Sequence, residues 1–284
     1  MTGLFREGDV VRVRDGQRVA GRDRTAVEEP LEVRLHGRSF AVIMRTPGAD
    51  RELTAGFLLA ERVVRTSDDI GTIEHCTDHS TQPGPTGSGL RGPSENIVNV
   101  TLMNKTADEL ERVLADRRAI VANSSCGLCG RSSIESLKTD VAPLPIDGGV
   151  MASVLAALPD RLRARQPGFD QTGGLHAAGL FTRTGELMTV AEDVGRHNAV
   201  DKVIGRLLLR DELPAPDSVL VVSGRASFEI VQKAVLAGIP IVAAVSAPSS
   251  LAVDLAEETR VTLLGFVREG GFNIYAHEAR VLRS

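Results

Sequence analysis

Apolar residues recur at two different spacings along the chain, and the change from one to the other divides it. Leu31-Glu32-Val33-Arg34-Leu35 alternates apolar and polar residues, His36-Gly37-Arg38 interrupts, and Phe40 to Met44 is apolar again. Successive strand side chains point to opposite faces, so this pattern predicts a β-hairpin. Residues 1 to 28 are charged and weakly patterned, with Val10-Val11-Arg12-Val13 as a candidate edge strand. Asp50 is placed to cap a helix carrying Leu53, Phe57, Leu58 and Val64 at helical spacing. A strand over 97–102 and a helix over 107–120, with Leu110, Val113 and Leu114 on one face, complete the first part.

Beyond Asp147 the pattern becomes a series of strand and helix units. Helices are predicted over 149–164, 196–210, 228–237 (with Ser227 as cap) and 249–258. Strands are predicted over 175–181, 187–190, 219–222, 241–245 and 261–266. The short Val-rich strands lack alternation, as strands buried on both faces do, so a sheet covered by helices is expected. The fold class is therefore α/β, with a three-layer C-terminal domain and a smaller α+β N-terminal domain. The boundary falls near residues 120–125, giving 1–122 and 123–284. Residues 80–94 are rich in Gly, Pro, Ser and Thr and read as a flexible loop within the first domain.

Composition narrows the classes of function. The 284 residues can bury a substantial core, yet there is no Trp, one Tyr and eight Phe, so Leu, Val, Ile and Ala must fill it. A formal charge of -4 and a pI of about 5.9 argue against a general nucleic-acid binder, which needs a concentrated basic face. No apolar stretch approaches the roughly 18 residues of a membrane span, and the charged Met1 to Val10 has no signal-peptide core. A cytoplasmic location is expected.

There are three cysteines, Cys76, Cys126 and Cys129, too few and odd in number for a disulfide-stapled scaffold. Cys126-Gly127-Leu128-Cys129 brings two thiols close together. Gly127 and Gly130 permit unusual dihedrals, and Arg131 supplies a cation. Free N–H groups and a nearby cation favour a thiolate, which attacks sulfur and can carry one more sulfur as a persulfide; the second thiol can then release it or form a disulfide. Other readings stand beside this one. His75, Cys76 and His79 could complete a zinc site with the pair. The pair could also be a thioredoxin-like redox couple, or two inert thiols.

Several polar segments sit where strands meet helices. Thr172-Gly173-Gly174-Leu175-His176 places His176 at a strand mouth. Glu192 to Asn198 gathers acids, Arg196, His197 and an amide ahead of an apolar helix, with Asp193 or Asn198 as cap and Asp201–Lys202 as surface charge. Ser223-Gly224-Arg225-Ala226-Ser227 and Ser246-Ala247-Pro248-Ser249-Ser250 follow at the next two turns. Such turns suit phosphate, and they are equally ordinary capping turns; neither is a Walker or dinucleotide motif. Arg268 and Asn273, between aromatic residues from Phe266 to Tyr275, could clasp a heteroaromatic ring or pack a C-terminal flap.

Taken together these segments resemble the FdhD family of sulfur carriers. The resemblance rests on CGLCG at 126–130, TGGLHAAGL at 172–180, EDVGRHNAVDKVIG at 192–205, SGRASFE at 223–229, AGIP at 237–240, VSAPSSLA at 245–252 and GFVREGGFNIY at 265–275. It implies a cytidine-deaminase-like C-terminal domain and a homodimer. It also implies a sulfurtransferase activity through a cysteine persulfide, in which sulfur passes from a cysteine desulfurase to the molybdenum cofactor, in its bis(molybdopterin guanine dinucleotide) form, for the formate dehydrogenase catalytic subunit. The persulfide would form on Cys126, with Cys129 assisting or resolving. The cofactor, as bound substrate, would meet the stretch Phe266, Val267, Arg268, Glu269, Gly270 and Gly271. Asn273, His176, Arg196, His197, Ser223, Gly224, Arg225 and Ser246 are further candidates. The H-x-E and P-C-x-x-C ligands of a zinc deaminase are missing from the two helix starts, so no metal ligands are assigned. A non-catalytic cofactor chaperone and a dithiol oxidoreductase are the alternatives.

Overall fold

The structure is a computed structural model describing residues 3–76, 93–103, 106–118, 142–268 and 270–283. Cys126, Cys129, the domain boundary expected near 120–125, residues 80–92 of the Gly/Pro-rich stretch, His79 and Glu269 lie outside the described residues.

The chain opens with a ribbon, β1 (Phe5–Arg14) against β2 (Gln17–Ala26). Asp15 and Gly16, at φ 50° and 77°, make the turn whose twist matches paired strands. The expected edge strand at 10–13 is thus part of a ten-residue arm, nearly all of it exposed. With both faces in water it has no reason to alternate, so periodicity gave little sign of it.

A four-stranded sheet follows in the order β4-β3-β6-β5, built from β3 (Glu29–Leu35), β4 (Arg38–Arg45), β5 (Ile70–His75) and β6 (Ile97–Leu102). The predicted hairpin is β3–β4, turning at His36 and Gly37. Leu31, Val33, Leu35, Val98 and Val100 face one side, where helix α1 (Asp50–Ala60) covers them. Asp50 is the first residue of that helix rather than its cap; Ala49 holds the cap position in a left-handed conformation. The Asp50 carboxylate instead grips buried Arg45 at 3.0 Å through two oxygens, beside Glu29. Helix α2 (Ala107–Arg118) closes this part of the described chain.

Beyond residue 142, β7 (Val150–Met151) leads into α3 (Ala152–Arg163) and a short α4 (Pro167–Thr172). Then come β8 (His176–Thr182), β9 (Leu187–Asp193), α5 (Arg196–Leu209), β10 (Ser218–Val222), α6 (Phe228–Leu236), β11 (Ile241–Ala244), α7 (Ser250–Thr259), β12 (Thr262–Arg268), β13 (Gly271–Ala276) and β14 (Val281–Leu282). Six of these strands form a mixed sheet in the order β13-β12-β11-β10-β8-β9. The inner neighbours β10, β11 and β12 are parallel, and β8, β9 and β13 run antiparallel to their partners.

The two faces of the sheet bury different sets. Ala177, Phe181, Val219, Val221, Ile241, Ala243 and Leu264 pack with Leu155, Leu158 and Leu162 of α3. Ala178, Leu180, Leu220, Val222, Val242, Ala244 and Leu263 pack with α5, α6 and α7. The same cluster continues through α1 into the four-stranded sheet, so one core joins the two sheets. At the centre of this joint α1 crosses α5 with almost no side chain between them. A Cβ at Gly205 would lie 2.6 Å from the Gly56 nitrogen, and one at Gly56 would lie 2.7 Å from the Asp201 carbonyl carbon.

Candidate functional site

The parallel strands β10, β11 and β12 all end on one edge of the large sheet, where β8 begins and α5, α6 and α7 start. In open α/β sheets this edge is where ligands bind. The turns there are stitched to one another. Ser223 Oγ accepts from the Ala177 N–H at 2.9 Å, and the Ser223 N–H donates back to the Ala177 carbonyl at 3.0 Å. The Ser246 N–H donates to the Gly224 carbonyl at 3.4 Å, and the Phe266 N–H donates to the Ser246 carbonyl at 3.2 Å. The expected residues Ser223, Gly224, Ser246 and Phe266 are therefore brought together along one seam.

His176 and Arg196 close one end of it. A Cβ on Gly224 would sit 3.5 Å from His176 Nδ1 and 3.7 Å from Arg196 Cδ, so both side chains lie over that glycine. Burial and then the Arg196 guanidinium hold the His176 imidazole below the ordinary histidine range. The cap positions of α5 and α6, Gly195 and Ser227, offer no side-chain hydrogen bond to their helices, whereas Ser249 caps α7 through the Ala252 N–H. Helix starts such as those of α5 and α6 suit an anion. Arg225 is exposed beside them.

The other end is the β12–β13 hairpin. Phe266, Arg268, Gly270, Gly271, Phe272 and Asn273 line an open cleft of about 520 Å³. Phe266 is 38% exposed and sits at φ 53°, a left-handed conformation that a bulky side chain adopts only under constraint. It lies where the pairing of β12 with β13 shifts register, so the bulge turns this ring outward. Val267 points the opposite way, wholly buried in the α3-facing core, and can offer a ligand only its backbone.

Several polar residues of 192–202 serve the fold. Asp193 is buried and does not cap α5; it takes Gly195 N–H at 2.8 Å, Asn198 Nδ2 at 2.9 Å, Thr46 N–H at 3.1 Å and Lys202 Nζ at 2.7 Å. Asn198 also donates to the Met44 carbonyl and Lys202 to the Thr46 carbonyl. These bonds pin the start of α5 to the β4–α1 connection. Glu192 accepts from the Gly168 and Phe169 N–H groups, fixing the first turn of α4. Asp201 and Lys202, expected as surface charge, are 3% and 2% exposed, because α1 and α6 cover α5 on two sides.

His197 is also buried, and its Nε2 lies 2.9 Å from Ser227 Oγ and 3.1 Å from Glu229 Oε2. Glu229 was not among the expected residues. Its signal was its place four residues before Lys233, with His197 likewise four before Asp201. Lys233 Nζ meets Asp201 at 2.5 Å. Burial is the largest influence on both carboxyls, pushing Glu229 up to about 7 and Asp201 up to about 6. Among the described residues no three His, Cys, Asp or Glu are grouped to hold a metal ion. His75 faces Asp50 at 3.6 Å.

Residues 26–282 match the FdhD/NarQ family along nearly the whole chain. The chain belongs to the FdhD/NarQ family. It is 49% identical to the sulfur carrier protein FdhD of Streptomyces avermitilis over 282 residues, covering 96% of this chain and 94% of that one. It is 42% identical to the sulfur carrier protein FdhD of Sulfolobus acidocaldarius over 277 residues, covering 98% of each. A crystal structure from Desulfotalea psychrophila, described as a formate dehydrogenase accessory protein, is similar with a TM-score of 0.74 at 25% identity. The match covers 98% of this chain and 100% of that one. The FdhD/NarQ match includes both the stitched seam and the β12–β13 cleft, and it begins where the β1–β2 arm ends.

Proposed function

We propose that the protein is a sulfurtransferase of the carrier type. It takes sulfur from a cysteine desulfurase onto Cys126 and passes it to the molybdenum cofactor, as bis(molybdopterin guanine dinucleotide), destined for formate dehydrogenase. The observation that carries the reading is full-length similarity to proteins named sulfur carriers, in a chain that also has a thiol pair at 126 and 129. The strand order β9-β8-β10-β11-β12, bridged by α5, α6 and α7, supports the cytidine-deaminase-like assignment of residues 123–284, with 1–122 as a second domain. A homodimer in the cytoplasm completes this reading.

The chemistry balances with two thiols. The Cys126 thiolate attacks the terminal sulfur of the donor persulfide; a new S–S bond forms, the donor S–S bond breaks, and the donor departs as a thiolate. Attack of the Cys129 thiolate on the Cys126 sulfur then forms a disulfide between the two cysteines and frees the carried sulfur as hydrosulfide. A dithiol reductant restores the pair. The recipient is substrate rather than a resident group. Arg196, Arg225 and the starts of α5 and α6 suit its phosphates, and the outward Phe266 ring with Arg268 and Asn273 suits a guanine.

Leu144 and Pro145 are held at the opposite end of the sheet. The Leu144 N–H donates to the Thr259 carbonyl, and Arg280 donates to the Pro145 carbonyl at 2.7 Å. Formate dehydrogenase maturation in a strain lacking the wild-type protein tests the reading. Cys126→Ala should abolish it; full maturation would favour a non-catalytic cofactor chaperone.

A further inference from the structure

Below the seam, α5 and α6 face each other through four buried ionisable residues in two rungs. His197 pairs with Glu229 at 3.1 Å, and one turn deeper Asp201 pairs with Lys233 at 2.5 Å. All four are less than a tenth exposed. Each rung is joined to the other by i,i+4 spacing along its own helix. The ladder is not balanced in charge. Glu61, which ends α1, adds its field to both carboxyls, as does Asp193 from β9 to Asp201. Lys233 is the cation inside the ladder, Arg196 stands at its mouth, and Lys202 is held by Asp193. His176 from β8 lies with Arg196 over Gly224. Two carboxyls, one ammonium and one imidazole leave the ladder one positive charge short unless a proton is held between His197 and Glu229, and low-dielectric surroundings favour holding it.

The top rung is the one next to the site. His197 directly follows Arg196, whose Nε–H donates to the His197 Nε2 at 3.4 Å, and the same nitrogen meets Glu229 and the cap residue of α6. We propose that Glu229 is a positioning residue that couples proton exchange to anion binding at the sheet edge. It holds His197 through one exchangeable proton, and the charge of this pair sets how tightly a nucleoside diphosphate is held at the starts of α5 and α6. The proposal rests on the nucleotide-binding reading above. Its sign follows from charge: a protonated Glu229 removes one negative charge from behind the anion site, so binding is strongest below the Glu229 titration and weakens as pH rises through about 7.

The test is GDP binding by calorimetry between pH 6 and pH 8.5, on wild type, Glu229→Gln and Arg225→Ala. Gln mimics the protonated carboxyl. Wild type should lose roughly tenfold in affinity from pH 6 to pH 8.5, the change linked to about one pKa unit of coupling. Glu229→Gln should bind at pH 8.5 as wild type does at pH 6, whereas Arg225→Ala should bind more weakly and keep the slope. A Glu229→Gln variant with the wild-type slope overturns the proposal. So does one that binds more weakly at every pH, which is what a purely structural role gives. Carboxyl carbon NMR of the free protein decides independently of any ligand and of the variant's folding: Glu229 titrating in the ordinary carboxylate range overturns the proposal. Absence of GDP binding by wild type at every pH would sink the nucleotide reading and the linkage together, while loss of slope alone leaves that reading standing.

Discussion

The crossing of α1 and α5 gives the sharpest mechanical prediction. Substituting Gly205 by Ala places a Cβ 2.6 Å from the Gly56 nitrogen and closer still to the Glu52 carbonyl oxygen. Both are backbone atoms of α1, so no side chain can rotate away. An ordinary contact needs about 3.4 Å, and clearing the Glu52 carbonyl requires the helices to separate by about 1.5 Å. A gap of that size forfeits about half or more of each contact across the seam. The seam carries Leu53, Leu58, Val200, Val203 and Ile204, all fully buried. Overpacking of this kind costs about 1–3 kcal/mol or more, and Ala returns about 1 kcal/mol of helix propensity over Gly. With the loss along the whole seam included, a net destabilisation of about 3 kcal/mol is expected, or roughly 6 °C or more in Tm for a chain of this size. Thermal and urea unfolding of Gly205→Ala measure it. Gly8→Ala serves as control, since a Cβ there meets nothing within 4 Å. A Gly205→Ala protein as stable as wild type would refute the close crossing.

Other predictions follow from buried charge and from the cleft. Lys202→Met leaves Asp193 charged and unpaired in the core and frees the Thr46 carbonyl, so a loss of about 3–5 kcal/mol is expected; a urea midpoint shift worth less than about 1 kcal/mol would contradict it. Glu229 and Asp201 have folded-state pKa values raised to about 7 and about 6, so the native state binds more protons than the unfolded chain between about pH 4 and 7. Their contribution to stability therefore falls as pH rises through that window. Urea midpoints at pH 5 and 7.5 should show a smaller decline in Glu229→Gln than in wild type, and an equal decline would remove Glu229 as its source. Arg268→Ala should weaken GDP binding at least several-fold; unchanged affinity would place the nucleotide elsewhere than the β12–β13 cleft.

The sequence made some elements plain and hid others for physical reasons. β3–β4 was legible because one face is buried and one is wet, which enforces alternation across a His-Gly turn. The β1–β2 arm has no buried face, so the run Val10-Val11-Arg12-Val13 was its one sign of a strand, and β2 was not read at all. Strand β9 runs three residues past its predicted end, since Ala191-Glu192-Asp193 carries polar groups whose partners are backbone N–H groups elsewhere. β13 was read only as a flap because Asn273 and the glycines mask its pairing with β12. The edge-of-sheet location of His176, Arg196, Ser223, Gly224 and Ser246 followed from their positions at strand–helix turns. The burial of Asp201, Lys202 and Glu229 did not, because it depends on α1 and α6 arriving on two sides of α5. Glycines at 56 and 205, each inside a predicted helix, were the available hint of that approach.

The central claim is that Cys126 carries sulfur. Incubating the protein with a cysteine desulfurase and cysteine, then weighing the peptide that bears Cys126 and Cys129, tests it directly. The account predicts a peptide heavier by one sulfur atom, lost on treatment with a thiol reductant and absent in Cys126→Ala. An unmodified Cys126 in a Cys129→Ala variant, where no second thiol can release the sulfur, would contradict it.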